Sequence, residues 1–417
     1  MKPNGGVVVG VAGVRRTVLA AVCAAAVSTV YAIQPVLEPA GAELGLAPES
    51  LGRLAAAGQV GYFAGLVLLV PLGDVLDRRR LITAHLVLVA AGAATAALAP
   101  NGPVAVAGLA AAGLFAVVVQ IAVAYTAAVS APGERGRDIG AVTSGVVIGI
   151  LGARVLAGAL GDAAGWRAVY LVLALLCLAL AATARAALRP DPGTARVRYT
   201  RAVGSMARLA VTDRLLLGRG LIALFLFASF GTLWGGLALP LGAEPWSLGT
   251  AEIGLFGLAG LAGALGAARA GRWADRGRAG AVSGRSLALL AASWALIART
   301  EPTLWPLIAG VVLLDFAVQA VHVSSQHLLT TAHPDRASGV IGAYMAFYSL
   351  GSALGAVTSA WAYASWGWWA SCLAGASYAL LGLAVWAGTA GRPGGRAPRG
   401  GGRPRTGGAE ASGHRPA

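Results

Sequence analysis

The sequence predicts an all-α integral membrane protein with twelve transmembrane helices. Of its 417 residues, 57% are hydrophobic and only 12% are charged, and the mean hydropathy is +0.72. An average globular protein has about 25% charged residues, so the 32 basic and 17 acidic side chains are too few to cover a soluble fold of this size. The composition therefore excludes a soluble enzyme, a disordered chain and a disulfide-rich scaffold.

Twelve apolar stretches are long enough to cross a bilayer, whose hydrocarbon core of about 30 Å needs about 20 residues of helix. Proline, glycine and charged residues mark the breaks between these stretches. We number them spans 1–12 in chain order, at residues 17–37, 52–72, 81–99, 103–130, 139–161, 167–187, 215–240, 251–271, 281–298, 304–331, 338–362 and 366–388.

The positions of lysine and arginine predict the orientation. With the N-terminus inside, 28 of these residues fall on the cytoplasmic side, three fall outside (Arg53, Arg167 and Arg299), and Arg154 lies within a span. Loops rich in Lys and Arg stay in the cytoplasm. We therefore predict a multi-pass protein of the cell (plasma) membrane with both termini cytoplasmic. The net charge of +15 reflects topology and does not indicate a nucleic-acid partner.

Two internal echoes predict that the chain is built from two similar halves. Residues 73–78 (GDVLDR) after span 2 resemble residues 271–276 (GRWADR) after span 8, and the same shift of 198 maps Gly65 onto Gly263. A second echo has a shift of 202. It matches Gly149-x3-Ala153 and Gly165-Trp166 with Gly351-x3-Gly355 and Gly367-Trp368.

The echoes and the composition together divide the chain. We predict two pseudo-symmetric six-helix bundles at 1–188 and 215–390, a cytoplasmic linker at 189–214, and a disordered cytoplasmic tail at 391–417. The tail is rich in Gly, Pro and Arg and has no apolar period, which is typical of disorder. Parallel halves with a site between them are the architecture of an alternating-access transporter.

The loop after span 2 resembles a known motif. Gly73-x3-Asp77-Arg78-x-Arg80 is similar to the loop 2–3 motif of the major facilitator superfamily, G-x-L-a-D-r-x-G-r-k, with Arg79 at its second glycine. The resemblance covers essentially residues 10–390 and includes Tyr31-x2-Gln34-Pro35 and Gly165-Trp166-Arg167. It implies a charge network that holds the inward side closed, formed by Gly73, Asp77, Arg78 and Arg80 and by their second-half counterparts Gly271, Asp275 and Arg276.

Span 5 resembles one branch of that superfamily, the drug:proton antiporters, whose motif is G-x8-G-x3-G-P-x2-G-G. The spacing survives as Gly140-x8-Gly149-x3-Ala153-Arg154-x2-Ala157-Gly158. Its small residues predict close helix packing, and Arg154 replaces the proline. In span 4, Val117-x2-Gln120-Ile121 lacks the arginine of the branch pattern R-x2-q-G. Proton coupling therefore has to use other residues.

Two charged residues lie deep inside the spans, Asp315 in span 10 and Arg154 in span 5. The free energy of inserting such a charge is about 2.5–3.5 kcal/mol, so we expect each of the two residues to have a structural or functional role. Asp315, Gln319, His322 and Gln326 share one helix face, because their spacing is 4, 3 and 4. This stripe either lines a water-filled cavity or forms interhelical hydrogen bonds, and Arg154 is either the counter-ion of Asp315 or an anchor. Asp315, His322 and Arg154 are the candidates for proton coupling.

The resemblance places the substrate cavity between spans 1, 4, 7 and 10. The candidate lining residues are aromatic or carry an amide: Tyr31, Gln34, Gln120, Tyr125, Trp234, Gln319 and Gln326. Such a lining suits an uncharged or amphipathic organic substrate. Tyr344 and Tyr348 in span 11 are left undecided.

These patterns predict a secondary active transporter and not an enzyme. We expect proton-coupled efflux of small organic molecules, such as a drug or metabolite, by a monomer in the lipid bilayer. A proton-coupled importer of a small nutrient is the alternative, and a non-transporting receptor or scaffold is less favoured because it needs neither the loop motif nor the polar stripe. The sequence has no Walker motif and no metal-ligand spacing, so we expect no ATP, metal or other cofactor.

Overall fold

A computed structural model of the chain describes residues 5–130, 134–190, 199, 203–204, 208–209, 212–266, 279–333 and 337–390. Throughout this part of the chain the regular structure is helical. In span order the helices are Gly5–Tyr31, Leu51–Leu68, Arg78–Ala97, Gly102–Ala116 with Val118–Val129, Arg135–Ala187 for spans 5 and 6, Arg214–Gly236, Thr250–Gly266, Ala279–Ile297, Trp305–Ala332, Ala337–Trp366 and Trp368–Ala390. Short helices Leu37–Glu43 and Ala238–Gly242 follow spans 1 and 7.

Ten helices of the described chain are long and apolar enough to cross a membrane. The longest contains spans 5 and 6, which meet at Gly165, where φ is 81° and ψ is 161°. Splitting it there and adding the shorter apolar helix of span 8 gives the twelve predicted spans. The predicted fold class is therefore confirmed.

The helix ends differ from the prediction where proline intervenes. Span 1 ends at Tyr31, before the predicted residue 37, because a helix normally stops ahead of a residue such as Pro35. Gln34 therefore lies in the turn after span 1. The helix of span 8 is described as far as Gly266. The predicted tail at 391–417 and most of the predicted linker lie outside the described residues.

Successive spans run in opposite directions. Spans 1 and 5 are parallel, because Gly145 and Gly149 of span 5 lie against Ala20 and Ala24 of span 1. We call the face at which span 1 begins and span 12 ends the terminal face, and the opposite one the distal face.

The two halves meet along two seams, span 2 against span 11 and span 5 against span 8. Within the described chain, three pairs of residues form hydrogen bonds between the halves. The Tyr31 and Tyr348 hydroxyls bond each other, the Ser349 hydroxyl donates to the main-chain oxygen of Gln59 at 2.6 Å, and the Thr250 hydroxyl donates to that of Gly158 at 3.0 Å. These bonds lie between mid-membrane and the distal face.

The first sequence echo is one helical turn out of register with the packing. A Cβ on Gly61 would come within 2.9 Å of the backbone nitrogen of Leu114, and a Cβ on Gly263 within 2.9 Å of that of Phe316. Gly61, and not Gly65, is therefore the structural counterpart of Gly263. The loop motifs repeat at a shift of 198, whereas the packing of the helices repeats at a shift of 202.

The second echo is also one helical turn out of register with the packing. The Ser28 hydroxyl donates to the main-chain oxygen of Gly149 at 3.1 Å, and the Thr232 hydroxyl donates to that of Gly355 at 3.4 Å. By packing, Gly355 therefore takes the place of Gly149, whereas the echo assigns Gly351. The distal corners do correspond at the shift of 202, since Gly165 and Gly367 both have a positive φ, of 81° and 77°.

The two distal corners are held differently. In the first half, Glu43 accepts hydrogen bonds from Trp166 Nε1 at 2.6 Å and Arg167 Nε at 2.7 Å. The bond from Arg167 holds the pKa of Glu43 below its usual range. In the second half, Trp368 Nε1 donates to the main-chain oxygen of Ile297 at 3.1 Å. A carboxylate thus holds the first corner and a carbonyl holds the second.

The span 5 motif packs on two different partners. Gly149 lies against span 1 in its own half, and Gly158 lies against Thr250 and Gly254 of span 8 in the other half. Ala153 is buried between them. Gly140 is the exception to the predicted packing face, because a Cβ there would meet nothing within 4 Å.

Candidate functional site

Arg154 of span 5 lies buried at the seam with span 8. Its side chain is 1% exposed, and Nε donates to Gln34 Oε1 at 2.8 Å. Among the described residues, neither Nη1 nor Nη2 has a hydrogen-bond partner. The guanidinium carbon stands 3.7 Å from the centre of the Trp234 ring and 5.6 Å from those of Tyr31 and Phe230. Aromatic faces attract a cation at such distances, so the three rings contribute to stabilising the charge.

Trp234 of span 7 connects Arg154 with Asp315. Its indole Nε1 donates to Asp315 Oδ2 at 3.2 Å, while its ring faces the guanidinium. Asp315 is 2% exposed, and it forms no direct ion pair with Arg154 within the described structure. The predicted residues Gln34, Arg154, Trp234 and Asp315 thus form one chain of contacts that joins the two halves. We call these four residues the charge bridge.

A layer of aromatic residues lies beside the charge bridge. Tyr31 bonds Tyr348 across the seam, and the ring of Tyr348 lies 3.9 Å from that of Phe227, centre to centre. His322 packs edge-on against Phe227 at 5.3 Å. Tyr348, left undecided by the sequence, therefore belongs to the site.

His322 forms a separate polar group closer to the terminal face. Gln326 Nε2 lies 3.1 Å from His322 Nε2, and the Tyr344 hydroxyl lies 3.1 Å from Nδ1. In each contact the donor depends on the tautomer of the imidazole ring. Asp315 bonds a different residue, Trp234. Gln319 lies half-buried between His322 and Asp315 on the same helix.

Two cavities lie on the distal side of the charge bridge. The larger, about 390 Å³, opens at the distal face, and its lining includes Glu38, Glu43 and Asp162. We call it the distal vestibule. The smaller, about 10 Å³, is lined by Gln34, Pro35, Arg154, Trp234, Leu237, Ala238 and Ile253. This inner cavity is about the size of one water molecule. Pro35, Ala238 and Ile253 line both cavities, so these apolar residues separate Arg154 from the vestibule.

Two predicted cavity residues lie away from the charge bridge. Gln120 Nε2 donates to the Tyr62 hydroxyl at 3.4 Å, within the first half. The Tyr125 hydroxyl bonds the main chain of Arg189 at 3.0 Å, so it holds span 4 to the chain just after span 6. Span 4 consists of two helices, Gly102–Ala116 and Val118–Val129, with Val117 between them.

Comparison with known proteins identifies the family. The family model described as "Major Facilitator Superfamily" matches residues 17–339, more than half of the chain. The chain belongs to the major facilitator superfamily. It is therefore a membrane transporter of the major facilitator type, and the prediction of a transporter and not an enzyme is confirmed.

Relatives within the superfamily are also named as transporters. The chain is 38% identical over 361 residues to the uncharacterized transporter YgaY of Escherichia coli K12, and the match covers 87% of this chain and 92% of YgaY. It is 33% identical over 379 residues to the probable transporter SCO4007 of Streptomyces coelicolor, covering 90% and 87%.

Solved structures share the major facilitator fold. The human organic anion transporter MFSD10 (TETRAN) matches with a TM-score of 0.67 at 18% identity, covering 90% of this chain and 99% of that one. A bacterial homolog of the human lysosomal transporter Spinster, in an inward-facing, unoccupied conformation, matches with a TM-score of 0.70 at 15% identity, covering 90% and 94%. At these identities the likeness concerns the fold alone.

The superfamily's loop motif lies at the terminal face, where Asp77 caps span 3. Its Oδ1 accepts from the backbone nitrogens of Arg79 at 2.8 Å and Arg80 at 3.2 Å. Arg79, at the motif's second glycine, donates to the main-chain oxygen of Arg185 at the end of span 6. A Cβ on Gly73 would lie 4.0 Å from Arg78 Nε, which is ordinary contact distance. The second-half residues Gly271, Asp275 and Arg276 lie outside the described residues.

Several site residues were not predicted from the sequence. Gln59, Tyr62, Phe227 and Phe230 lie close to the predicted ones. A buried amide inside a span was the available signal for Gln59, in the same way as for Gln120. The two phenylalanines carry no such signal, because phenylalanine inside a span is ordinary.

Proposed function

We propose that this transporter exports small organic molecules in exchange for protons, in the manner of the drug:proton antiporter branch. One observation carries the proposal: Arg154 from the first half and Asp315 from the second are buried where the halves meet, with Trp234 between them. Ionisable residues inside a membrane usually serve function. A carrier that rocks between two faces needs its site at this interface. Asp315 is the group that gains and loses the proton.

The distal vestibule supports proton entry from the distal face. Its lining includes the carboxyl groups of Glu38, Glu43 and Asp162. Negative charge that lines a cleft raises the local concentration of cations, protons included. From the vestibule, a proton reaches the inner cavity past Pro35, Ala238 and Ile253. His322 lies seven residues, about 10 Å, beyond Asp315 along span 10, so water has to complete a relay between them.

The direction of export depends on the orientation. We propose a monomer in the cell membrane with the terminal face in the cytoplasm, in keeping with the 28 basic residues predicted there against three outside. Reporter fusions test this. A fusion after residue 390 or within 189–214 should report the cytoplasm, and one near Asn101 should report the exterior. An external C-terminus would contradict the orientation.

Asp315→Asn tests the coupling. Asparagine keeps the size of the side chain and an acceptor for Trp234, but it cannot carry the proton. In proteoliposomes, transport driven by a pH gradient should stop, while counterflow exchange should continue at concentrations of the compound high enough to saturate a weakened site. The transported compound comes from an accumulation screen of an overexpressing strain. Asp213→Asn is the matched control, because Asp213 caps span 7 and pairs with His333 at the terminal face.

The outcomes separate coupling from a structural role. Undiminished pH-driven transport by Asp315→Asn would falsify the coupling role. If Asp315 only compensates Arg154, the variant should express poorly, and neutralising both residues should restore expression. Direction is read from the same screen, since a deletion raises the cellular content of an exported compound and lowers that of an imported one.

A further inference from the structure

The side chain of Arg154 has unused hydrogen-bonding capacity at the seam between the halves. A guanidinium has five N–H donors, and Gln34 accepts from one of them. Both Nη groups are buried without a partner among the described residues. Buried polar groups are nearly always hydrogen-bonded in folded proteins. A ligand that brings acceptor oxygens would satisfy the two groups.

The surroundings of Arg154 select a carboxylate over a more highly charged anion. The planar fork of two Nη groups matches the two oxygens of a carboxylate. Within the described residues, Arg154 is the only arginine or lysine that lines either the inner cavity or the distal vestibule. One positive charge balances a carboxylate, whereas a phosphate would leave excess negative charge. The rings of Tyr31, Phe230 and Trp234 beside the guanidinium suit an apolar part of the same ligand.

Asp315 supplies the opposite charge at the Nε1 edge of the Trp234 indole, whose face packs on Arg154. In the part of the chain that the structure describes, it accepts from Trp234 Nε1 and does not pair directly with Arg154. Span 8 faces Asp315 with Gly260 and Gly263, which are not titratable. A carboxylate in this setting is complementary to a protonated amine. The site as a whole is neutral, so a neutral ligand with separated charges leaves no buried charge uncompensated.

We propose that Arg154 and Asp315 bind a zwitterion of the amino-acid type. Its carboxylate binds the Nη groups of Arg154, its ammonium group binds Asp315, and its side chain packs on the rings. The inference rests on the proposed function, since it takes the charge bridge as the transport site. The zwitterion site also explains why the substrate and a proton are exchanged for each other. A proton on Asp315 and the ammonium group compete for one carboxylate, so one leaves as the other binds.

Thermal stabilisation of the full-length protein in detergent at neutral pH tests the inference. The probes are the twenty standard L-amino acids and two matched series that lack one charge each. One series is L-leucine, 3-methylbutylamine and 4-methylpentanoate, and the other is L-phenylalanine, 2-phenylethylamine and 3-phenylpropionate. We expect at least one amino acid to bind. Its decarboxylated amine and its deaminated acid should bind at least about tenfold more weakly, because each loses a charged hydrogen bond.

Arg154→Lys isolates the carboxylate contact, because lysine keeps the charge and loses the fork. It should weaken amino-acid binding at least about tenfold and leave amine binding unchanged. Arg53→Lys, at an exposed arginine of the distal face, is the control. If Arg154→Lys does not fold, the double variant Arg154→Gln/Asp315→Asn replaces it, since it is neutral as the wild-type pair is. The double variant should bind none of the probes.

Two outcomes would overturn the zwitterion site. One is stabilisation by none of the twenty amino acids, and the other is equal affinity for an amino acid and its amine or acid. Neither outcome would contradict the proposal that the protein exchanges protons for its substrate. The failure of proton exchange would appear as pH-driven transport by Asp315→Asn, whatever ligand binds.

Discussion

The two halves place the same helices in the same way, but they fill one equivalent position differently. In the first half, Gly113 of span 4 lies directly on Gly58 of span 2, where a Cβ on Gly113 would come within 2.9 Å of the Gly58 Cα. Gly58 in turn packs against Val30 of span 1, with a Cβ position 3.3 Å from the Val30 Cα. Three backbones meet there, and no side chain fits between them.

In the second half, the position of Gly113 is taken by Asp315, at the same shift of 202 that relates Gly61 to Gly263. A Cβ on Gly260 would lie 3.3 Å from Asp315 Oδ2 and 3.0 Å from Trp234 Cζ2. A carboxylate and an indole thus replace the backbone contact. The comparison shows that pseudo-symmetry fixes where the helices lie, while a few side chains decide which half holds the buried carboxylate.

Gly113→Asp should have the largest effect, because it places the second-half carboxylate in the first half. The new charge costs about 2.5–3.5 kcal/mol in the membrane, and overpacking against Gly58 adds about 1–3 kcal/mol. Folded protein in the membrane should fall at least about tenfold, as measured by fluorescence-detected gel filtration. Asp315→Gly is the reciprocal change, and it should fold. Normal yield of Gly113→Asp would show that the first half has room for a side chain.

Trp234→Phe should have the next largest effect, since it removes the indole N–H and keeps a ring beside Arg154. Losing a hydrogen bond to a charged group costs about 1.5–3 kcal/mol, and transport should fall about tenfold because the Asp315 carboxylate loses the donor that holds it. Trp294→Phe is the control in the same half, where Nε1 donates to the Ser229 hydroxyl at 2.8 Å. It should lower the melting temperature and spare transport. Equal transport losses in both variants would remove the special role of Trp234.

Substitution of Asp77 separates capping from charge at the loop after span 2. Asp77→Ala removes the cap and should cost about 1 kcal/mol. Asp77→Asn keeps the cap, so its melting temperature should stay near wild type while transport falls strongly. The same pair of changes at Asp275 compares the second half. Wild-type transport by Asp77→Asn would reduce Asp77 to a helix cap.

The distal corners should differ in their response to acid, with the smallest effect of the four. Because Arg167 lowers the pKa of Glu43, the pair contributes stability above the unfolded glutamate pKa of about 4.3 and loses it as the pH falls through the folded value. Glu43 is exposed, so the change should be about 1–2 °C in melting temperature between pH 7 and pH 3. Glu43→Gln should remove this part of the acid sensitivity, and Glu49→Gln on the same face should not. An unchanged pH profile for Glu43→Gln would assign the corner's stability to Trp166.

The sequence predicted the spans and the two buried charges because both depend on composition along the chain. A run of apolar residues needs no partner to be recognised, and Arg154 and Asp315 stand out since charge is rare in such runs. Their mutual arrangement could not be predicted. It depends on the ring of Trp234 standing between them, and that follows from how span 7 is rotated against spans 5 and 10.

Tyr125 is an example of a residue whose type and span do not reveal its contacts. It has the residue type and the span expected of a cavity residue, yet its hydroxyl bonds the main chain of Arg189. A span has several faces, and an aromatic residue with a polar end suits any of them. Only the packing of span 6 on span 4 distinguishes the face that Tyr125 occupies. The sequence echo matches Gly65 with Gly263, whereas the packing matches Gly61 with Gly263. The reason is that the loop motifs repeat at a shift of 198 and the helix crossings at a shift of 202.

The hydroxyl of Ser349 donates across the seam between spans 2 and 11 to the main-chain carbonyl of Gln59, and it also lies 3.5 Å from Gln59 Oε1. A serine in a helix can turn to the carbonyl four residues earlier, here Met345, as Thr232 and Ser28 do within their own helices. When the seam at spans 2 and 11 parts, this donor therefore has a second acceptor already in reach. We therefore expect Ser349 to act as a reversible latch, whose hydroxyl keeps a hydrogen-bond partner in the membrane when the seam opens.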